Sequence, residues 1–412
     1  MIPSMSPSAH RLPPDVVVFG AFDRHNIGDL LFAHVAAAML PDTACRFAGL
    51  AARDLSADGG HRAVPLAQAL AACRTEPRPV VLHAGGELLT CTSAEAAVML
   101  QPPGTAMLLA AALAADPLAG AAWSAREVGS HALAPYASTV AALGVPARRA
   151  YAGVGGVDLD IAAPALRDEV LRALAGAAFV GVRDRRTLGH LAAAGIAARL
   201  MPDPAVLTAS LFGDRIRSRL REGEPAALAS AWPDGWLAVQ CSADFGDDAT
   251  LALLAGQLER VVRASGLPLA IFRAGTAPWH DSLAVCRRLA DRLPAGMARV
   301  MASPLLWDAC ALIVGSRGFL GSSLHGRILA TAFGLPRVSL RHPDLPARPT
   351  KQDAWAATWD TALPAGALPL ADAAAAMDDA LCADPARLRA DAARLEDACR
   401  AAFADMRLAI MA

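Results

Sequence analysis

The chain has 412 residues, of which 55 % are hydrophobic and 19 % are charged. This balance excludes an intrinsically disordered protein, which would be poor in apolar residues and rich in charge. Lys and Arg number 38 against 39 Asp and Glu, so the basic surplus that is typical of nucleic-acid-binding proteins is missing. The length predicts two to three domains of about 100–200 residues each.

The apolar runs are too short to predict a membrane span. The longest, residues 106–115, is stopped by Asp116 and Pro117, whereas a membrane helix needs about 20 residues. Residues 1–15 lack the apolar core of a secretory signal. The eight cysteines are scattered without a C-x-x-C pair, which favours buried free thiols over disulfides or a zinc site. We therefore predict a cytoplasmic protein without a transmembrane segment.

Short β-branched runs alternate with Ala- and Leu-rich stretches, which is the pattern of a parallel α/β sheet. We predict strands at residues 16–19, 80–83, 151–153, 179–182 and 198–201, then at 236–239, 269–272, 318–321 and 336–340. Between the two series, residues 215–235 are rich in Arg, Glu and Pro and show no strand pattern. The sequence thus predicts domains at 1–214 and 215–412. An apolar stripe near the carboxyl end predicts helices within 371–412 that close the molecule, packing partly on the first domain.

Polar residues follow the first predicted strand, where open parallel sheets bind their ligands. Asn26 and Gly28 suit a tight turn, and Asp29 is predicted to cap a helix over residues 29–40. This helix end could face an anion or a polar ligand. The alternative is a well-capped turn with no ligand.

Two further turns of the first series carry candidate ligand groups. Gly85 and Gly86 would let the backbone approach a ligand, and Glu87 could accept hydrogen bonds from sugar hydroxyls. Arg183 emerges at the end of its strand, where it could hold a phosphate or carboxylate. The alternatives are close strand–helix packing at the glycines and local Asp–Arg pairs at the arginine.

The turn of Ser322, Ser323 and His325 is the most informative, because it joins a strand to the amino end of a helix. Free N–H groups and the helix dipole favour a bound anion at such a place. A histidine there can donate to the anion or act as a general acid or base. The histidines show no metal-binding spacing, so no metal is predicted.

Taken in order along the chain, these motifs resemble the polysaccharide pyruvyl transferase family. They are Asn26-Ile27-Gly28-Asp29, His83-Ala84-Gly85-Gly86-Glu87, Val182-Arg183-Asp184, Pro202-Asp203-Pro204 and Ser322-Ser323-Leu324-His325-Gly326. The resemblance implies two Rossmann-like domains facing a cleft, as in the glycosyltransferase-B (GT-B) arrangement. It also implies a transferase that moves a carboxyethylidene group from phosphoenolpyruvate (PEP) to two hydroxyls of a saccharide, in bacterial surface polysaccharide biosynthesis and without a cofactor.

The matching residues and some of their neighbours are expected to take the following roles. His325 is expected to be catalytic. The expected donor-binding residues, mostly in the second domain, are Ser322, Ser323, Gly326, Arg327 and Arg183. Those expected to bind the acceptor are Asn26, Gly28, Asp29, Gly85, Gly86, Glu87 and Lys351. The implied partners are PEP and a saccharide. The acceptor's identity, the oligomeric state and any peripheral membrane association stay open.

One departure from the family pattern concerns the donor. Many members read Ser-Arg-Leu-His-Gly, whereas Ser323 stands here in the position of the donor-binding arginine. Because helical side chains lean toward the amino end, we expect Arg327 to project back over the pocket and replace it, with Arg317 as the second candidate. A nucleotide-sugar glycosyltransferase and a non-catalytic binding protein remain alternatives. Trp355 and Trp359 are expected either to form a rim of the acceptor site or to dock the terminal helix.

Overall fold

The computed structural model describes residues 14–138, 140–364 and 366–411. The chain forms two open sheets with helices packed on them, the first sheet of eight strands and the second of six. The strands of the first sheet are β1 (Val16–Phe19), β2 (Cys45–Gly49), β3 (Arg53–Asp54), β4 (Arg62–Pro65), β5 (Val80–Ala84), β6 (Arg148–Val154), β7 (Phe179–Val182) and β8 (Arg199–Leu200). Their spatial order is β3-β4-β2-β1-β5-β6-β7-β8, and all pairs are parallel except β3 with β4.

The helices of this first half are α1 (Ile27–Met39), α2 (Leu66–Ala71), α3 (Ser93–Met99), α4 (Pro103–Ala115), α5 (Pro117–Val128), α6 (Val140–Leu143), α7 (Pro164–Ala175), α8 (Arg185–Ala193), α9 (Thr208–Arg219) and α10 (Gly223–Ala231). The last two lie between the sheets in sequence. A short 3₁₀ turn, Pro204–Leu207, precedes α9.

The second sheet is wholly parallel, in the order β11-β10-β9-β12-β13-β14. Its strands are β9 (Leu237–Gln240), β10 (Leu269–Ile271), β11 (Ala298–Val300), β12 (Gly318–Gly321), β13 (Arg337–Arg341) and β14 (Ala367–Pro369). Its helices are α11 (Asp248–Ser265), α12 (Leu283–Ala290), α13 (Leu306–Val314), α14 (Leu324–Ala332), α15 (Lys351–Trp359), α16 (Ala373–Leu381) and α17 (Pro385–Met411).

The predicted first helix begins two residues earlier than expected. Its N-cap is Asn26 and not Asp29, since the Asn26 side chain accepts hydrogen bonds from the amides of Gly28 (3.0 Å) and Asp29 (3.5 Å). Asp29 therefore lies inside the first turn, where a carboxylate still interacts favourably with the helix dipole. Because the Asp29 carboxylate does not cap the helix, it is available to line the space beyond the carboxyl ends of the strands.

Backbone contacts hold the two halves together at this same turn. The Ile27 amide donates to the Ala274 carbonyl over 2.8 Å, and Asn26 forms a β-bridge with Gly275. One continuous apolar cluster also runs from α1 into α13 and α14. The carboxyl ends of the two sheets consequently face each other across a cleft.

The terminal helix α17 returns to the first sheet. Its stripe of Leu395, Phe403 and Met406 is buried in the cluster that contains residues of β6 and β7. The Arg148 side chain donates to the Ile410 carbonyl over 2.8 Å, which fixes the end of the helix against β6. Among the helices of the described residues, none is both long and apolar enough to cross a membrane.

Candidate active site

The cleft between the sheets has a volume of about 1070 Å³. Residues that follow β1, β5 and β7 form one wall, and residues that follow β9, β10, β12 and β13 form the other. This is where the fold presents backbone N–H groups and helix amino ends to a ligand. Asn26, Asp29, Gly86, Glu87 and Arg183 line it from the first half.

His325 enters the cleft from the first turn of α14. Ser323 caps this helix, its hydroxyl accepting a hydrogen bond from the Gly326 amide over 3.2 Å. The imidazole packs edge-on against Phe32, with ring centroids 5.2 Å apart, and it also lies against Gly28. A Cβ at position 28 would lie only 2.0 Å from Nδ1 of His325, so only glycine allows this placement. The predicted residues Gly28 and His325 thus meet across the two halves.

A buried carboxylate backs the imidazole. Asp203 Oδ2 lies 3.7 Å from Nε2 of His325 and 3.1 Å from Nη1 of Arg183. Burial opposes ionisation of Asp203, but the nearby imidazole of His325 and the charge of Arg183 outweigh it and hold the pKa of Asp203 below the usual range. Asp203 is therefore an anion that can stabilise a protonated imidazole.

Arg183 is not a free cation. Its side chain is buried, and its terminal nitrogens pair with Asp203 and with Glu87, the latter over 2.5 Å. Glu87 is further occupied by the Val157 amide at 2.7 Å. The two predicted ligand groups Arg183 and Glu87 are thus brought together at the cleft, where they bind each other.

Gln240 and Asp281 hold the Ser322–Ser323 turn. Gln240 Oε1 accepts hydrogen bonds from the Ser323 amide (2.7 Å) and the Ser322 hydroxyl (3.4 Å), while its amide nitrogen donates to Asp281 over 2.8 Å. Burial raises the pKa of Asp281 to about 7, although bonds from Ala274 and Gln240 counteract it. This series of hydrogen bonds fixes the strand-to-helix turn, and it was not predicted from the sequence.

The expected placement of Arg327 is wrong. Its guanidinium is buried on the far side of α14, where it pairs with Asp360 over 2.6 Å and donates to the Ser339 hydroxyl over 3.1 Å. Asp360 also pairs with Arg337 over 2.7 Å. A buried cation needs such a partner, and Asp360 supplies it away from the cleft. Gly326 also faces inward, against Phe319.

Of the other predicted residues of the acceptor side, Asp29, Gly86 and Lys351 line the cleft, whereas Gly85 packs against Phe32. Asp29 faces Arg24, 3.5 Å away. Gly85 and Gly86 both have positive φ, 62° and 79°, and form the turn after β5. Lys351 begins α15 and lines the opposite wall.

The tryptophans predicted to form a rim of the acceptor site are not the one that lines the cleft. Trp355 is completely buried, and the Trp359 indole donates to the Arg183 carbonyl over 2.7 Å, so both serve packing. Trp279 instead lines the cleft, 38 % exposed and with a positive φ of 62°. A non-glycine residue seldom adopts this backbone conformation, and such strain is concentrated at functional sites.

Comparison with known proteins supports the family resemblance. Residues 156–344 match the polysaccharide pyruvyl transferase family model. The matched segment contains Arg183, Asp203 and His325, and it confirms the predicted resemblance and the predicted transferase class. No curated protein matches the chain.

Three solved structures are similar to the chain, and the first of them shows the fold. A UDP-N-acetylglucosamine 2-epimerase aligns with a TM-score of 0.52 at 12 % identity, over 96 % of this chain and 94 % of its own. The UDP-GlcNAc 2-epimerase of Methanocaldococcus jannaschii gives 0.49 at 11 % identity, covering 89 % and 91 %. The trehalose 6-phosphate synthase of Burkholderia multivorans gives 0.47 at 15 % identity, covering 97 % and 98 %. The predicted GT-B-like architecture is confirmed by the first of these.

Proposed function

We propose that the protein transfers a pyruvyl group from PEP to two hydroxyls of a saccharide, forming a cyclic pyruvate ketal for a bacterial surface polysaccharide. The observation that carries this proposal is the His325 imidazole, which lines the cleft within the family-matched segment and is backed by Asp203. An imidazole with an anionic partner is suited to proton transfer.

The reaction needs one proton at a defined carbon. Protonation of PEP at C3 makes C2 electrophilic, and the first sugar hydroxyl adds there and loses its proton. The C2–O bond to phosphate then breaks, and the second hydroxyl adds to C2 and loses its proton in turn. Of the two protons released, one balances the proton taken by C3 and the other leaves on phosphate.

His325 is proposed as the acid that protonates C3. Because Asp203 faces Nε2, proton transfer falls to Nδ1, the other ring nitrogen. Asp203 would hold the ring's orientation and stabilise the imidazolium, the role of a carboxylate behind a catalytic histidine. The separation of 3.7 Å is long for a hydrogen bond, which is common for catalytic contacts before substrate binds.

The two walls of the cleft suit the two substrates. At the start of α14, the Gly326 amide is capped by Ser323. The amides of Leu324 and His325 have no intrahelical partner, and they favour an anionic donor beside Ser322 and Ser323. On the opposite wall the carboxylate of Asp29 is proposed to accept a hydrogen bond from an acceptor hydroxyl. The exposed indole of Trp279, which follows β10 on the same wall as α14, offers the acceptor a face on which a sugar ring can stack from across the cleft.

Incubation with PEP and candidate saccharides tests the proposal, with phosphate release and addition of a carboxyethylidene group to the acceptor as readouts. His325→Gln should lower turnover by about 10²–10⁴-fold, the usual contribution of a general acid. His131→Gln is the matched control, because His131 is exposed and lies outside the cleft. A loss below tenfold in H325Q would remove His325 from catalysis. Binding of a nucleotide sugar without any response to PEP would contradict the proposed reaction.

A further inference from the structure

Lys351 differs from the other cations that line the cleft. Four arginines line it, and each has a carboxylate oxygen nearby: Arg24 with Asp29 at 3.5 Å, Arg183 with Glu87 at 2.5 Å, Arg341 with Asp353 at 3.0 Å and Arg348 with Asp158 at 2.6 Å. Among the residues that the structure describes, Lys351 has neither a carboxylate within 4.0 Å nor a hydrogen bond from its ammonium group. Of the cations that line the cleft in the described part of the chain, Lys351 is thus the one that no carboxylate neutralises.

The backbone around Lys351 is held firmly. Thr350 and Asp353 form a capping box at the start of α15. The neighbouring Gln352 side chain donates to the Ser322 carbonyl over 2.6 Å, which ties this helix end to the turn that carries His325. Lys351 therefore stands at a fixed place beside the candidate donor site.

The surroundings of the ammonium group favour a bound anion. Lys351 is accessible to the water of the cleft, yet both walls enclose it, and this desolvation, followed by the charge of Arg183, lowers its pKa. Glu87 and Asp29 lie within electrostatic range and oppose the effect. An oxyanion placed against the ammonium would supply the missing partner and accept its N–H groups.

We propose that Lys351 binds an oxyanion group of the donor substrate, phosphate or carboxylate, and so provides the cation that Ser323 and the buried Arg327 do not. The inference rests on the proposed function only for the name of the donor. The predicted role of Lys351 in acceptor binding is replaced by this one. Gln240, Ser322 and Ser323 remain the neutral part of the same wall.

Calorimetric titration with inorganic phosphate, pyruvate and PEP at fixed ionic strength tests the assignment. Lys351→Gln should weaken binding of PEP by about 10- to 100-fold, the range of a charge-assisted hydrogen bond, and Lys351→Arg should restore most of it. The same loss for phosphate alone, or for pyruvate alone, identifies the group that Lys351 holds. Arg185→Gln is the charge-matched control, since Arg185 is exposed and lies outside the cleft. Thermal melting of each variant checks that it is folded.

The sequence offers a second readout, because Lys351 is its only lysine. Acetylation with acetic anhydride, followed by peptide mass spectrometry, therefore reports on one side chain, with the amino terminus as the reference. Saturating PEP should slow labelling of Lys351 at least tenfold and leave the reference unchanged.

Folded K351Q that binds all three anions like the wild type, or equal labelling of Lys351 with and without PEP, would overturn the inference. Binding of PEP through Lys351 with no ketal formed would instead reject the proposed function and leave the assignment of Lys351 intact.

Discussion

Gly28→Ala is the sharpest test of the geometry at the candidate active site. The new Cβ would lie 2.0 Å from Nδ1 and 2.1 Å from Cε1 of His325. Ordinary contact begins near 3.4 Å, so the imidazole or α1 has to retreat by about 1.4 Å. A displacement of about 1 Å at a reacting group can lower the rate by about 10²-fold. We therefore expect kcat/KM to fall by 100-fold or more.

The same substitution should have a small effect on stability. Alanine is favoured over glycine in a helix by about 1 kcal/mol, and this gain opposes an overpacking cost of about 1–3 kcal/mol. The net change in the free energy of unfolding is expected to be a loss of about 0–2 kcal/mol, measured by urea denaturation. Gly256→Ala is the matched control, since Gly256 lies in α11 with open space around its Cα, and it should keep full activity. A G28A enzyme with more than a third of wild-type kcat/KM would show that His325 does not act from this position.

Two further predictions concern groups away from the reacting centre. Arg327→Met should lower the free energy of unfolding by about 3 kcal/mol, because it breaks a buried ion pair with Asp360. The PEP affinity of the folded variant should change less than twofold. A tenfold loss of PEP affinity would show that Arg327 belongs to the donor site. His83 is buried and neutral, bonded to the Tyr136 carbonyl and the Ser138 hydroxyl, and burial lowers its pKa to about 3. As the pH falls from about 6.5 to about 3, only the unfolded state therefore protonates His83. The free energy of unfolding should decrease over that range, and His83→Asn should make the decrease smaller. An equal pH dependence of the free energy of unfolding in wild type and H83N, measured by urea denaturation, would disprove this.

The sequence predicts the strands that form continuous apolar runs and misses several that do not. Residues 16–19 are a continuous apolar run because β1 is buried on both faces between β2 and β5. β2 carries the exposed Arg46, and β14 is an edge strand of only three residues, so neither shows that pattern. Local composition therefore identifies strands that are buried on both faces. It misses strands that form only because a neighbouring strand pairs with them.

Site residues were predictable where the signal is local. His325 stands at the start of a helix after a strand, and that placement follows from sequence order. The pairing of Arg327 with Asp360 joins residues 33 positions apart, and that of Arg183 with Glu87 joins residues 96 apart. The residues next to Arg327 or Arg183 in the sequence do not indicate these distant carboxylate partners. Since Glu87 and Arg183 both follow parallel strands, their proximity was the one long-range contact that the strand pattern could have suggested.

The position of α17 has a consequence for how the protein is synthesised. The face of the first sheet that it covers includes Ala150, Phe179 and Met201, which are buried in the finished molecule. The last strand of that sheet ends at Leu200, whereas the helix is completed only near Met411. At translation speeds of about 5–20 residues per second, the nascent chain carries this apolar surface uncovered for roughly 10–40 s. During that interval the half-made protein is a substrate for aggregation or for a chaperone, and emergence of α17 ends that exposure.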